Sequence, residues 1–473
     1  MRIAIAAALL GLALCCGFAA SSAAAAPRPH VVFLLADDLG WRDVGYHGSK
    51  IKTPNIDRLA MAGVRLEQFY VQPLCSPTRA ALLTGRYPLR YGLQCGVVRP
   101  WAQYGLPLDE RTLPQALKAA GYATAIVGKW HIGHVSREYL PTRRGFDLQY
   151  GHYNGMLDYF THIRDGGHDW HRNDKANYDK GYTTDLIADE AVRIIAKHDA
   201  KKPLFLYVPF NAPHTPLQVP ETWLKPYAGM QNKQRQIYAG MVSCLDDAIG
   251  RIVAATGKHL PAEKTLIVFC SDNGGVPRLG SNGKLRAGKG TLYEGGVRVP
   301  AVMVWKGTLP PGKIVNEPLH LVDVYPTLVK LGGGTLRRTG FQPVRGKQPK
   351  PLDGYDLWPT ITEGKPRPSA TIVHNVTPFH AAIRFGDWKL IHNGQVGANT
   401  TTTSKKVRRA KWELFNIKDD PSETSDRSKD GLPEFDRLKQ QIAKLRREMA
   451  KPNIPPNRQP REFRVPKVWG ETD

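Results

Sequence analysis

Cysteine is scarce: the 473 residues contain six, and two of these, Cys15 and Cys16, sit in an apolar N-terminal run. With Cys75 set aside for the chemistry argued below, Cys95, Cys244 and Cys270 remain, and an odd count argues against a disulfide framework. Cys270 ends the run Leu266-Ile267-Val268-Phe269 and reads as a small buried hydrophobe. Stability must come from core burial. Long apolar runs are missing too. After the first stretch, no segment reaches the roughly 18 apolar residues of a membrane-spanning helix, so no integral membrane association is expected. The first stretch has Arg2, an apolar core from Ile3 to Phe18 and an Ala-rich end before Pro27. It reads as a cleaved export signal over residues 1–26, which makes the mature protein secreted or periplasmic. Leu14 stands where a lipidated Cys15 would need a small residue before it.

Acidic residues are the third shortage, 42 against 66 Lys and Arg, for a formal charge of +24. Residues 336–473 hold 27 basic and 16 acidic side chains, so the field is uneven. Such a surface concentrates polyanions, or is simply a solvated basic face. No nucleic-acid module accompanies the charge and the chain is exported, so nucleic acid is not expected and a sulfated polysaccharide fits better.

The length allows one large domain and a smaller one. Apolar, β-branched runs predict buried strands at His30–Leu35, Ala123–Val127, Pro203–Pro209, Thr265–Phe269 and Ala301–Trp305. Amphipathic helices are predicted over Leu113–Ala120, Thr183–Lys197 and Gln236–Thr256. Strands alternating with helices imply an α/β domain over 27–335 with a central, mostly parallel sheet flanked by helices. Residues 336–350, rich in Gly, Arg, Lys and Pro, read as a basic linker or insertion. Strand-like segments at Ile383–Ile391 and Trp412–Ile417, and a helix around Glu434–Met449, imply a smaller α+β unit over 351–473. No long-period repeat is present.

Polar clusters follow four of the five predicted strands, where open α/β sheets place their sites. Asp37 and Asp38 come directly after the first strand, and adjacent acids there are costly without a compensating cation. Asp272-Asn273-Gly274-Gly275 follows the fourth. Four hard oxygen donors suit Ca2+ or Mg2+ better than zinc, although either pair alone could be a cap or an Asx-turn. Gly128-Lys129-Trp130-His131 follows the second strand, with Lys129 and His131 two apart and so on one face of an extended segment. His214, in Asn211-Ala212-Pro213-His214-Thr215-Pro216, follows the third. Gly283 to Lys289 has Gly-x4-Gly-Lys spacing, but Gly290 occupies the place of the Ser or Thr of a phosphate loop. Lys289 therefore reads as a cation for an oxyanion. Finally, Cys75-Ser76-Pro77-Thr78-Arg79 places a thiol on an irregular turn directly before a predicted helix, with Pro77 suited to that helix's first position. The free N–H groups of that helix start favour an anion near Cys75, and Arg79 lies about a turn along.

The Cys75 pentad with its Thr84-Gly85-Arg86 tail resembles the signature of the type I, formylglycine-dependent sulfatases of the alkaline phosphatase superfamily. Further matching stretches include Pro107-Leu108-Asp109-Glu110, Gly121-Tyr122 through Gly133, Leu140 to Asp147, Pro203 to Tyr207, Pro216 to Pro220, Tyr238 to Val242, Glu294-Gly295-Gly296-Val297-Arg298, His380 to Arg384 and Trp412 to Thr424. The resemblance spans roughly residues 29–430 and is greatest to the arylsulfatase B, or N-acetylgalactosamine-4-sulfatase, group. It implies an alkaline-phosphatase-like α/β domain with a C-terminal domain carrying an antiparallel sheet. It also implies conversion of Cys75 to 3-oxoalanine (formylglycine) by a formylglycine-generating enzyme. One Ca2+ would be held by Asp37, Asp38, Asp272, Asn273 and the modified Cys75, with Arg79, Lys129, His131, His214 and Lys289 around the sulfate.

The chemistry so implied is attack of a hydrated aldehyde on sulfur, giving a covalent sulfo-enzyme. His214, helped by Lys289, protonates the leaving sugar oxygen. His131 then takes the proton that releases sulfate. The substrate would be a sulfated oligo- or polysaccharide, with 4-sulfated N-acetylgalactosamine of chondroitin or dermatan sulfate as the expected unit. Cys95 stands where the mammalian arylsulfatase B pattern has histidine, and Tyr293 where it has tryptophan. Two other readings are a phosphomonoester or phosphonate hydrolase on the same fold and a non-catalytic polyanion binder with an unconverted Cys75.

Overall fold

The computed structural model of the chain describes residues 28–336, 350–396, 411–454, 456 and 458–471. The segment expected as an export signal (1–26) and residues 337–349 of the expected basic insertion lie outside the described residues.

Ten strands form the central sheet. Five adjacent members are parallel, in the spatial order Thr265–Ser271, His30–Ala36, Leu204–Pro209, Ala123–Lys129 and Leu148–His152. Ala301–Val304 joins antiparallel to Thr265–Ser271, so the sheet is mixed. All seven residues of His30–Ala36 are buried, as a strand covered on both faces requires. Alternation along it separates two cores. Val31, Phe33 and Leu35 pack with Leu113, Leu117, Leu328 and Val329 on one side. Val32, Leu34 and Ala36 pack with Ile56, Ile187, Met241 and Leu245 on the other.

The predicted strands are present, each within two residues of its expected ends. The helix Thr183–Lys197 has its expected bounds, whereas that at Gln236–Thr256 runs from Lys233 to His259. Asn232 explains the earlier start: its side chain accepts from the Arg235 N–H at 3.1 Å and caps the helix. The helix carrying Cys75 also begins earlier than expected, spanning Cys75–Thr84 with Cys75 as its first residue. Pro77 is its third residue, which costs nothing because the first four N–H groups of a helix lack intrahelical acceptors.

A separate four-stranded antiparallel sheet comprises Thr371–Val376, Ala381–Phe385, Trp388–His392 and Trp412–Asn416 in sequential order. The segment expected as one strand from Ile383 to Ile391 is a hairpin. Phe385 pairs with Trp388 across a two-residue turn, with Gly386 at φ +58°. The helix Pro433–Glu448 covers this sheet through Leu438 and Ile442. Among the described residues no helix is long and apolar enough to cross a membrane. Cys75, Cys95, Cys244 and Cys270 are all buried and unbridged, and Cys270 is wholly enclosed.

Candidate active site

The carboxyl ends of four parallel strands bring the polar clusters together. Backbone bonds tie their loops: the Asp37 N–H donates to the Ala212 carbonyl, and the Asp272 N–H to the Ala36 carbonyl, both at 3.0 Å. Asp38 leaves its strand at φ +65°, which swings its carboxylate away from the strand's own alternation. It accepts from Lys289 Nζ at 2.6 Å and from Asn273 Nδ2 at 2.8 Å. Asp37 is enclosed by Lys129 Nζ, by Arg79 Nη2 at 3.3 Å and by Cys75 Sγ at 3.7 Å. Arg79 also donates to Asp272 at 2.8 Å and to the Lys129 carbonyl at 3.2 Å. His214 points Nε2 at Asp38, 3.7 Å away, and donates from Nδ1 to the Thr215 carbonyl at 2.6 Å.

This packing separates two layers. Cys75, His131, His214 and Lys289 line an open pocket of about 250 Å³. Arg79 and Lys129 are fully buried one layer behind, where they hold Asp37 and Asp272. The shared face expected for Lys129 and His131 is not extended strand. His131 has φ +59°, so the chain turns between them. Its Nε2 then donates to the Val98 carbonyl at 3.1 Å. Its Nδ1 is buried without a partner and so carries the lone pair.

Electrostatics follow from burial and close charges. Burial alone would raise Asp37, yet Lys129, His214, Arg79 and Lys289 draw its carboxyl far below the usual range. Asp272 moves the opposite way, raised by burial and by the neighbouring Asp37. Burial pushes the Cys75 thiol up to about 12, so little thiolate exists at neutral pH. Burial, then Lys129 and Arg79, hold His131 well below the ordinary imidazole value.

The donor set could hold a divalent cation. Asp37, Asp38, Cys75 and His214 offer ligand atoms within 4.8 Å of one another. Asn273, fully buried, leaves Oδ1 without any partner. A buried amide oxygen left over beside carboxylates is suited to serve as an oxygen ligand of a cation.

A family model described as sulfatase matches residues 29–334. The chain belongs to the sulfatase family. It is 41% identical to mouse (Mus musculus) arylsulfatase J over 82% of this chain and 64% of that protein. The chain thus spans less than two thirds of that relative's length. Identity to human (Homo sapiens) arylsulfatase A is 34%, over 85% of this chain and 84% of that protein. Among solved structures, Ps i-CgsB in complex with k-i-k-neocarrahexaose superposes with a TM-score of 0.79 at 34% identity, over 90% of this chain and 94% of that one. The family hydrolyses sulfate esters.

Sequence reasoning did not single out Arg99, Met156 and Arg164, which also line the pocket. They lie outside the post-strand clusters, on segments whose approach depends on tertiary packing. The one local signal was Val97-Val98-Arg99-Pro100, a short run soon after the Cys75 helix.

Proposed function

We propose that this sulfatase is an exported, calcium-dependent enzyme that removes sulfate from a sulfated carbohydrate, with 4-sulfated N-acetylgalactosamine or a related galactose unit as its target. The catalytic site would lie wholly within residues 27–335, ahead of the 336–350 insertion and the 351–473 unit. One observation carries the reading: a buried cysteine at a helix start faces a pocket with two histidines and a lysine, beside carboxylates and an unpartnered amide oxygen. The 34% identity to Ps i-CgsB, whose structure holds a neocarrahexaose, and to human N-acetylgalactosamine-6-sulfatase supports a galactose-type sugar.

Asp37, Asp38, Asp272 and Asn273 would hold Ca2+, which when bound supplies positive charge to sulfuryl oxygens. Residue 75, once oxidised from thiol to 3-oxoalanine, supplies an aldehyde hydrate as nucleophile in place of the thiol. Lys289, at the pocket wall, is positioned to bind a sulfate oxygen, while Arg79 and Lys129 fix the carboxylates from behind. His214 is oriented by its Nδ1 bond to the Thr215 carbonyl, and burial and Lys289 lower its pKa to about 4, so Nε2 carries the lone pair in the neutral ring. It would give a proton to the departing sugar oxygen as the imidazolium, after taking that proton from solvent. His131, held through Nε2, presents the Nδ1 lone pair as a base.

The test is activity of the matured protein on 4-nitrophenyl sulfate, its phosphate analogue and defined sulfated oligosaccharides. Sulfate release by wild type and none by Cys75→Ala is expected, with the Cys75 peptide about 18 Da lighter than the thiol form. Appreciable turnover by Cys75→Ala would overturn the mechanism. Failure on every 4-sulfated galactosamine and galactose would overturn the sugar.

A further inference from the structure

The pocket above Cys75 has a second pair of cations that the chemistry just described does not use. Arg99 and Arg164 line the same roughly 250 Å³ space as Cys75, His131, His214 and Lys289. Arg99 follows Val98, whose N–H donates to Ser76 Oγ at 3.0 Å and whose carbonyl accepts from His131 Nε2 at 3.1 Å. The next residue, Pro100, accepts from His134 Nε2 at 3.2 Å. The backbone carrying Arg99 is therefore bolted to the neighbour of Cys75 and to a pocket histidine.

Arg164 sits on a short hairpin in which Ile163–Arg164 pairs with Gly167–His168. The C-terminal segment pins that hairpin: Trp469 Nε1 donates to the Arg164 carbonyl at 2.8 Å, and the Trp469 N–H to the His168 carbonyl at 2.9 Å. Trp469 is itself buried and stacks edge-on against His134, the residue that holds Pro100. Both arginine-bearing segments thus share one support.

Burial and the nearby Arg164 lower Arg99 from the usual guanidinium value, as expected of like charges facing one space. Arg164 also pairs with Asp165 at 3.0 Å, a carboxylate that an incoming anion would have to displace or share. Two guanidinium groups held over a pocket are suited to forked hydrogen bonds with a sulfate or a carboxylate. Resting on the sulfatase reading of the Cys75 site, we propose that Arg99 and Arg164 form a second anion subsite, which selects sugars carrying another sulfate or a carboxylate close to the ester being cleaved. The enzyme is then tuned to densely anionic chains rather than to isolated sulfate esters.

The experiment compares kcat/KM of the full, matured chain on three substrates: a neutral disaccharide with one sulfate, the same disaccharide with a second sulfate, and a monosulfated uronate-containing disaccharide. For wild type, at least one dianionic substrate should be favoured about ten-fold or more over the monoanion, the scale of one added charge-assisted contact. The two dianions separate a sulfate from a carboxylate preference. In Arg99→Gln/Arg164→Gln the ratio should fall towards one. Because the ratio is internal to each preparation, partial misfolding does not alter it. A wild-type ratio near one for both dianions, or a preference that survives in the double variant, overturns the subsite. No sulfate release from 4-nitrophenyl sulfate or any sugar by wild type overturns the sulfatase site itself, a distinguishable outcome.

Discussion

Gly155 lies directly against a pocket histidine: a Cβ there would stand 2.4 Å from His131 Cε1 and 2.5 Å from Nε2. Gly155→Ala should therefore push the imidazole off its bond to the Val98 carbonyl. We expect kcat on 4-nitrophenyl sulfate to fall about a hundred-fold, the usual result of misplacing a reacting group by an ångström. An unchanged kcat would remove His131 from the proton transfers. Asn273 makes the second residue-scale case. Its unpartnered Oδ1, beside Asp38, predicts that a chelator lowers both activity and thermal stability and that added Ca2+ restores both. With Ca2+ at a hundred times its Kd the stabilisation is about 2.7 kcal/mol, and a melting temperature indifferent to chelation would argue against a resident cation. The acids, lysines and histidines were legible in the chain because reactive side chains cluster after strands. Gly155 was not, since its meaning is a distance to a ring 24 positions earlier.

Interleaved glycines explain how separate elements become one site. Asp272-Asn273-Gly274-Gly275 and Glu294-Gly295-Gly296 read as two motifs, yet their backbones pack directly together. The Gly274 N–H donates to the Gly296 carbonyl at 3.0 Å, and a Cβ on Gly274 would lie 1.8 Å from the Gly295 carbonyl oxygen. The Lys289 N–H donates to the Gly275 carbonyl at 3.2 Å, so the same contact places Lys289 over Asp38. Gly274→Ala is expected to cost about 1–3 kcal/mol, by urea unfolding, and to depress kcat/KM as the Lys289 loop shifts. Full activity with unchanged stability would show that the loops give way harmlessly. Long strands and helices were readable from hydrophobic period alone. The hairpin at Ala381–Phe385 and Trp388–His392 was not, because its turn is only Gly386 and Asp387 inside one apolar run.

At the scale of the whole molecule, a buried charge cluster joins the smaller sheet to the Glu294 segment beside the site. Lys389, on the smaller sheet, is fully enclosed and lies 2.9 Å from both Glu294 and Glu423. Glu423 in turn accepts the Glu294 N–H at 2.6 Å. Glu294 also accepts from Tyr70, which bonds Arg384 of the smaller sheet at 2.6 Å. Lys389→Met would leave Glu423 buried without its cation and Glu294 relying on Arg298 at 3.6 Å, so a loss of about 3–5 kcal/mol in unfolding free energy is expected. A change below about 1 kcal/mol would mean that water or a proton takes the place of the ammonium. The cluster ties the loop of Glu294, and through Gly295 and Gly296 the Asp272 loop, to the C-terminal part of the chain. A loosened variant should therefore lose activity before it loses secondary structure, a separation that circular dichroism beside kinetics would read.

The linear chain determined the reaction class and the kinds of group that serve it. A strand is a local pattern, and the acids, Lys129, His131, His214 and Lys289 stand near strand ends or in marked loops. Packing decided their ranks. It sent Arg79 and Lys129 behind the carboxylates, left Cys75, His131, His214 and Lys289 facing the pocket, and drew in Arg99 and Arg164 from segments held by His134 and Trp469. Which side chain faces a substrate depends on distances between residues far apart in the chain, and no local period encodes those.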